Sequence, residues 1–168
     1  MRVNDVLQIY DYNYWASARI LDTAAAVSDE QFVARADFSH GGLRDTLTHI
    51  LGAEWAWRSR IQAGHSPTAL LAPADFPTLA ALRERWTGEE QAMRGYLAWL
   101  TDADLDRVVH YRSTRGDALS AKLWHILYHV ANHGTQHRGE AAAMLTSLGH
   151  SPGDIDFSVW MREYGSRR

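Results

Sequence analysis

The chain has no cysteine among its 168 residues, which excludes disulfides, thiolate metal sites and a cysteine nucleophile. That absence fits a reducing compartment, and a cytoplasmic location is expected. Basic charge is not in excess, since 17 Lys and Arg against 20 Asp and Glu leave a formal net charge of −3. A Lys/Arg face able to hold phosphate backbones is therefore missing, and nucleic-acid binding is not expected. No apolar run approaches the roughly 18 residues a membrane span needs. The opening residues do not read as a signal peptide, so no membrane role is expected. Internal repeats, low-complexity tracts and an interdomain linker are lacking too.

What the chain has is apolar bulk and histidine. Hydrophobic residues make up 46%, and the length suffices for one core, so residues 1–168 are expected to form a single domain. There are nine histidines, with His110, His125, His129, His133 and His137 close together in sequence.

The hydrophobic spacing is helical nearly throughout. A first helix is expected over Asn4–Ala26, where Leu7, Tyr10, Tyr14, Ala18, Leu21 and Ala25 make one stripe. Ser28 and Gln31 form a capping box for a short turn. A second helix is expected over Leu43–Ala63, its stripe interrupted by Glu54, and a third from the N-cap Thr78 to Leu100. A fourth should start near Ser120 and end at Leu148, stopped by Gly149 and Pro152. Residues 107–119 are ambiguous: Val108–Tyr111 suits a short strand, with Arg115-Gly116-Asp117 as a turn. An amphipathic piece, Ile155–Tyr164, closes the chain. Four long helices argue for an all-α helical bundle.

The stretch HILYHVANHGTQH places His125, His129, His133 and His137 four residues apart. Four residues turn an α-helix by about 400°, so each step drifts about 40° and the four rings fan over about 120°. They cannot converge on one point. Ile126, Val130, Ala141, Met144 and Leu148 mark the apolar stripe. His133 and His137 continue it, His129 lies at its edge, and His125 lies outside. Two imidazoles one turn apart on a core face can share an ion. Buried imidazoles are costly unless their nitrogens are satisfied, either by a metal or by polar neighbours. His49 is the best third ligand, being inside a long helix, with Gly52, Ala53 and Ala56 leaving room nearby. Periodicity alone leaves that open. His40 and His65 fall in loops, and His150 falls past a helix end; all three read as solvated surface histidines.

Three segments carry a resemblance. HVANHGTQHRGEAAAMLTSLGHSPGDIDFSVW, LRDTLTHILGAEWAW and YDYNYWASARIL together resemble the DinB/YfiT-like family over nearly the whole chain. The resemblance implies an up-down-down-up four-helix bundle, often a homodimer. It also implies a divalent metal, zinc, nickel or iron, held by three histidines: His49, His133 and His137. His129 occurs near the motif, and a supporting role beside the ligands is expected of it. Similar proteins include thiol-dependent S-transferases that use bacillithiol or mycothiol, and a mycothiol-dependent maleylpyruvate isomerase. The implied function is a metal-dependent enzyme acting on a small molecule: most simply an S-transferase using a low-molecular-weight thiol, alternatively a hydrolase or a non-catalytic, stress-related binding protein. The family name records induction by DNA damage, but the charge argues against DNA binding. Glu54 is a candidate general base, or a bundle-edge carboxylate. Arg138, inside the motif, is a candidate for an anionic thiol or substrate, or for a structural pair with Glu140 or another acid. Asp45, one turn before His49, could orient its ring, or could simply favour the helix start.

Overall fold

Apolar spacing of three and four is realised as four long helices and two short ones. A computed structural model describes residues 1–164, with helices α1 (Val3–Ala24), α2 (Asp29–Val33), α3 (Leu43–Gln62), α4 (Leu79–Leu97), α5 (Leu123–Ser147) and α6 (Phe157–Glu163). The caps follow local chemistry. Ser28 Oγ accepts from the Gln31 backbone N–H at 3.2 Å while Gln31 reaches back to Ser28. Thr78 Oγ1 accepts from Ala81 N–H and starts α4. The long helices meet in a ring: α1 and α3 each pack against both α4 and α5. Among the described residues, no helix is long and apolar enough to cross a membrane.

The ambiguous segment is a β-hairpin. Strand β1 (Val108–Arg112) pairs antiparallel with β2 (Ala118–Lys122), with Val108 opposite Lys122. The molecule is therefore mostly helical rather than wholly so, and α5 begins at Leu123, not near Ser120. The turn explains the difference. Ser113 N–H donates to the Asp117 carbonyl at 2.9 Å, and Gly116 takes a φ of +92° that other residues rarely adopt. That turn commits residues 118–122 to pairing back on β1.

The core holds two large apolar clusters with a polar belt between them, and a smaller third of Tyr12, Ala16 and Trp160. Of the large two, one holds Ile20, Leu47, Leu51, Leu82, Trp86 and Met144. The other holds Val6, Tyr10, Met93, Leu97, Ile126 and Val130. Between them each long helix contributes buried polar groups: Asn13 and Ser17 from α1, Glu54 from α3, Glu89 from α4, and His137 and Arg138 from α5. Buried polar groups need partners, and these have them, the Arg138 Nε excepted. Tyr14 Oη donates to Glu54 Oε1 at 2.6 Å, Arg58 and Arg85 both pair with Glu89, and Arg138 bonds Asn13.

The segment joining α2 to α3 is pinned by a close approach. A Cβ on Gly42 would lie 1.9 Å from the Ala34 carbonyl oxygen, a backbone atom that cannot swing aside. The φ at Gly42 is −82°, so space and not torsion demands glycine there. Gly42→Ala should lower stability by about 2 kcal/mol or more. Gly88→Ala, inside α4 with nothing within 4 Å, should be neutral or raise it by up to about 1 kcal/mol. Urea unfolding of the two variants checks both signs.

Candidate metal centre

Helix α5 carries His133 and His137 one turn apart, and α3, packed against it, carries His49. The three rings meet: centroids are 4.8 Å apart for His49 and His133, 4.7 Å for His49 and His137, and 4.5 Å for His133 and His137. The Nε2 atoms of His49 and His133 are 2.9 Å apart. His125 and His129 are both exposed, His125 outside the apolar face and His129 at its edge. His125 lies edge-on to Trp124, while His129 lies 5.7 Å from His133 and 5.5 Å from Trp57, ring to ring.

His40 departs from expectation. It is not a detached surface histidine, because its ring stacks on His49 with centroids 3.5 Å apart and lies 4.8 Å from His137. Ring nitrogens of His40, His49 and His137 all lie within 4.8 Å of one another, close enough to hold one metal ion. Two features bring the loop over α3. One is the close approach at Gly42. The other is Glu140, whose carboxylate accepts from Ser39 Oγ at 2.8 and 2.9 Å and whose Oε2 lies 2.9 Å from His137 Nδ1. Glu140 was expected only as a partner for Arg138; its place one turn after His137 is the signal that fits its observed role.

The site favours neutral imidazole. Burial, with His40 and His137 adding repulsion, lowers the His49 pKa to about 4. Burial, with His137 and His49 adding repulsion, lowers that of His133 to about 3. Burial also lowers those of His40 and His129. Near pH 7 the uncharged rings offer lone pairs, the form a metal takes.

The remaining candidates have other engagements. Asp45 lies 3.2 Å from Arg44 Nε and against Gly41, and it shares a cavity of about 200 Å³ with His40 and His49. Its observed bond is to Arg44, not to the His49 ring. Glu54 is 6% exposed and takes the Tyr14 hydroxyl. Burial, reinforced by Glu89 and Glu90, pushes its pKa up to about 7 against the opposing Tyr14 bond and Arg138. Arg138 is 1% exposed and donates to Asn13 and, at 2.9 Å, to Thr135 Oγ1. Gly134 makes that clasp possible, since a Cβ there would sit 2.8 Å from Arg138 Nη1. The hydrogen bonds of both Glu54 and Arg138 thus run within the belt and not to the four imidazoles, and Arg138 does not pair with Glu140. His65 and His110 line a separate open hollow beside the hairpin.

A cavity of about 290 Å³ opens beside His49 and His133, walled by Trp57, Arg60, Tyr111 and His129. It was not visible in the sequence, because its far wall is the hairpin. The chain is similar to Protein DinB of Bacillus subtilis (strain 168), at 21% identity over 158 residues and 92% of each chain. The family model described as DinB family matches residues 1–166. Four imidazoles gathered between α3, α5 and the loop before α3 thus sit in a chain that, matched over nearly its whole length, belongs to the DinB family.

Proposed function

We propose that this protein is a metal-dependent enzyme in which His49, His133 and His137 hold a divalent cation and a low-molecular-weight thiol is activated for transfer to a small electrophile. The observation that carries the reading is the cluster of imidazoles at the mouth of a cavity. An all-nitrogen donor set without thiolate suits zinc, nickel or ferrous iron. Such a cation supplies Lewis acidity that favours the deprotonated form of a thiol or a water. The protein's own groups do the rest. Glu140 engages His137 at Nδ1, which orients the ring and leaves Nε2 as its ligand atom. His40 rides on a loop, so it can move aside for an incoming group without disturbing a helix. Trp57 and Tyr111 give the cavity an apolar wall that excludes water from the reacting end.

An up-down-down-up four-helix bundle in a single domain is part of the same proposal. It is supported by the order in which the helices meet the two large apolar clusters: α1 and α5 run from the Val6 cluster to the Ile20 cluster, while α3 and α4 run the other way.

The test is elemental analysis and cobalt titration of purified protein, followed by assays with a low-molecular-weight thiol and an electrophile, and separately with an activated ester. One ion per chain and thiol transfer that chelation removes and metal restores are the expected results. Turnover indifferent to chelation, or no ion bound, would overturn the reading. Ester cleavage without thiol transfer would replace the transferase by a hydrolase. A melting temperature lowered by chelation, with no turnover at all, would leave a non-catalytic metalloprotein.

A further inference from the structure

Arg60 lies near the end of α3 and is only 7% exposed. Among the described residues, no hydrogen bond or ion pair engages its guanidinium, and its Nε is buried without a partner. The other arginine buried to this degree, Arg138, shares the unpartnered Nε, but its terminal nitrogens donate to Asn13 and Thr135. Two aromatic rings hold Arg60 in place: its guanidinium carbon lies 4.5 Å from the Trp57 centroid and 5.5 Å from that of Tyr111. Cation–π contact offsets part of the desolvation of the charge. It uses none of the five N–H donors, which are fixed in a fork that matches a carboxylate. Burial lowers the Arg60 pKa, and Tyr111 opposes this.

The same cavity that Arg60 lines reaches His49 and His133. Its volume, about 290 Å³, is at the small end for sites that take small molecules. Among the described residues no second arginine or lysine lines it, so its charge suits one carboxylate better than a multiply charged phosphate. We propose that Arg60 is the specificity-determining residue of this cavity and binds the carboxylate of a small acidic substrate or thiol whose other end lies at the imidazole cluster. Only the placing of that other end rests on the metal-centre reading; the recognition of the carboxylate does not.

The test compares 3-mercaptopropionate with 3-mercaptopropan-1-ol, probes of similar size that differ in charge. Binding is followed by calorimetry and by tryptophan fluorescence, on the purified protein before and after chelation. The acid should bind at least about tenfold more tightly than the alcohol, as expected for a charge-assisted hydrogen bond. In Arg60→Met that preference should vanish while the metal content stays at the wild-type level. In Arg60→Lys, which keeps the charge but loses the fork, part of it should survive. Equal binding of acid and alcohol by the wild type would overturn the proposal, and so would a preference that persists in Arg60→Met. Should chelation leave both affinities unchanged, the metal-centre reading fails while the acid preference still reports on Arg60.

Discussion

His133→Ala is expected to weaken divalent-metal binding by more than about a hundredfold while leaving the helical circular-dichroism spectrum intact. Losing an outer partner of a ligand typically costs about 10–100-fold, so removing a ligand should exceed that and Glu140→Gln should fall within it. The fold should survive, because His133 belongs to none of the apolar clusters. His40→Ala is the informative comparison. Ring nitrogens of His40, His49 and His137 lie within 4.8 Å of one another, so this set, without His133, is within reach of one ion. The rigid-helix set predicts that His40→Ala keeps affinity within about tenfold, because a loop-borne imidazole gains less from preorganisation. Competition titrations with a chromophoric chelator separate the two. If His40→Ala loses the ion and His133→Ala retains it, the ligands are His40, His49 and His137.

Glu54→Gln should raise stability in alkaline solution and change little in acid. Burial lifts the Glu54 pKa from its ordinary 4.5 to about 7, with Glu89 adding to the rise and Tyr14 opposing it. The folded protein therefore holds a proton that the unfolded chain releases. The stability linked to it is fully present below pH 4.5 and is lost as pH rises through 7. At about 1.4 kcal/mol for each tenfold change, the whole loss is about 3 kcal/mol. Glutamine keeps an oxygen to accept the Tyr14 hydroxyl and carries no charge to desolvate. Urea unfolding at pH 5 and at pH 8.5 should thus show the variant level with the wild type at the first and up to about 3 kcal/mol above it at the second. A gain of equal size at both pH values would mean that packing, not ionisation, sets the cost of this carboxylate.

Along a helix, the sequence was readable. The drift of about 40° per four residues told the inward-facing pair His133 and His137 from His125, because the neighbours Ile126, Val130 and Ala141 mark the same face. Thr78 and Ser28 announced their helix starts by side-chain chemistry. Across the fold it was not readable. His40 reaches the cluster because Gly42 admits the Ala34 carbonyl and because Ser39 bonds Glu140, a pair 101 positions apart in the chain. The start of α5 was misplaced because residues 118–122 are claimed by pairing with β1, a contact that outweighs their local propensity. Glu54 looked like a break in a stripe, and only its neighbours reveal that it sits where all four long helices are polar. Arg60 carries no signal in the sequence, since the lack of a partner is a property of its surroundings.

The polar belt also has a bearing on how four similar rods find one register. Apolar surfaces alone tolerate axial sliding, because leucine against leucine is much the same one turn on. Here a slip of one turn, about 5.4 Å, would carry Glu54, Glu89 or Arg138 toward an oily end and strip them of Tyr14, Arg58 or Asn13. An unpaired charge so placed costs several kcal/mol, comparable with the whole stability of a small domain. The middle of the molecule therefore works as a notch that sets the depth of each rod, and that same setting holds His49 level with His133 and His137.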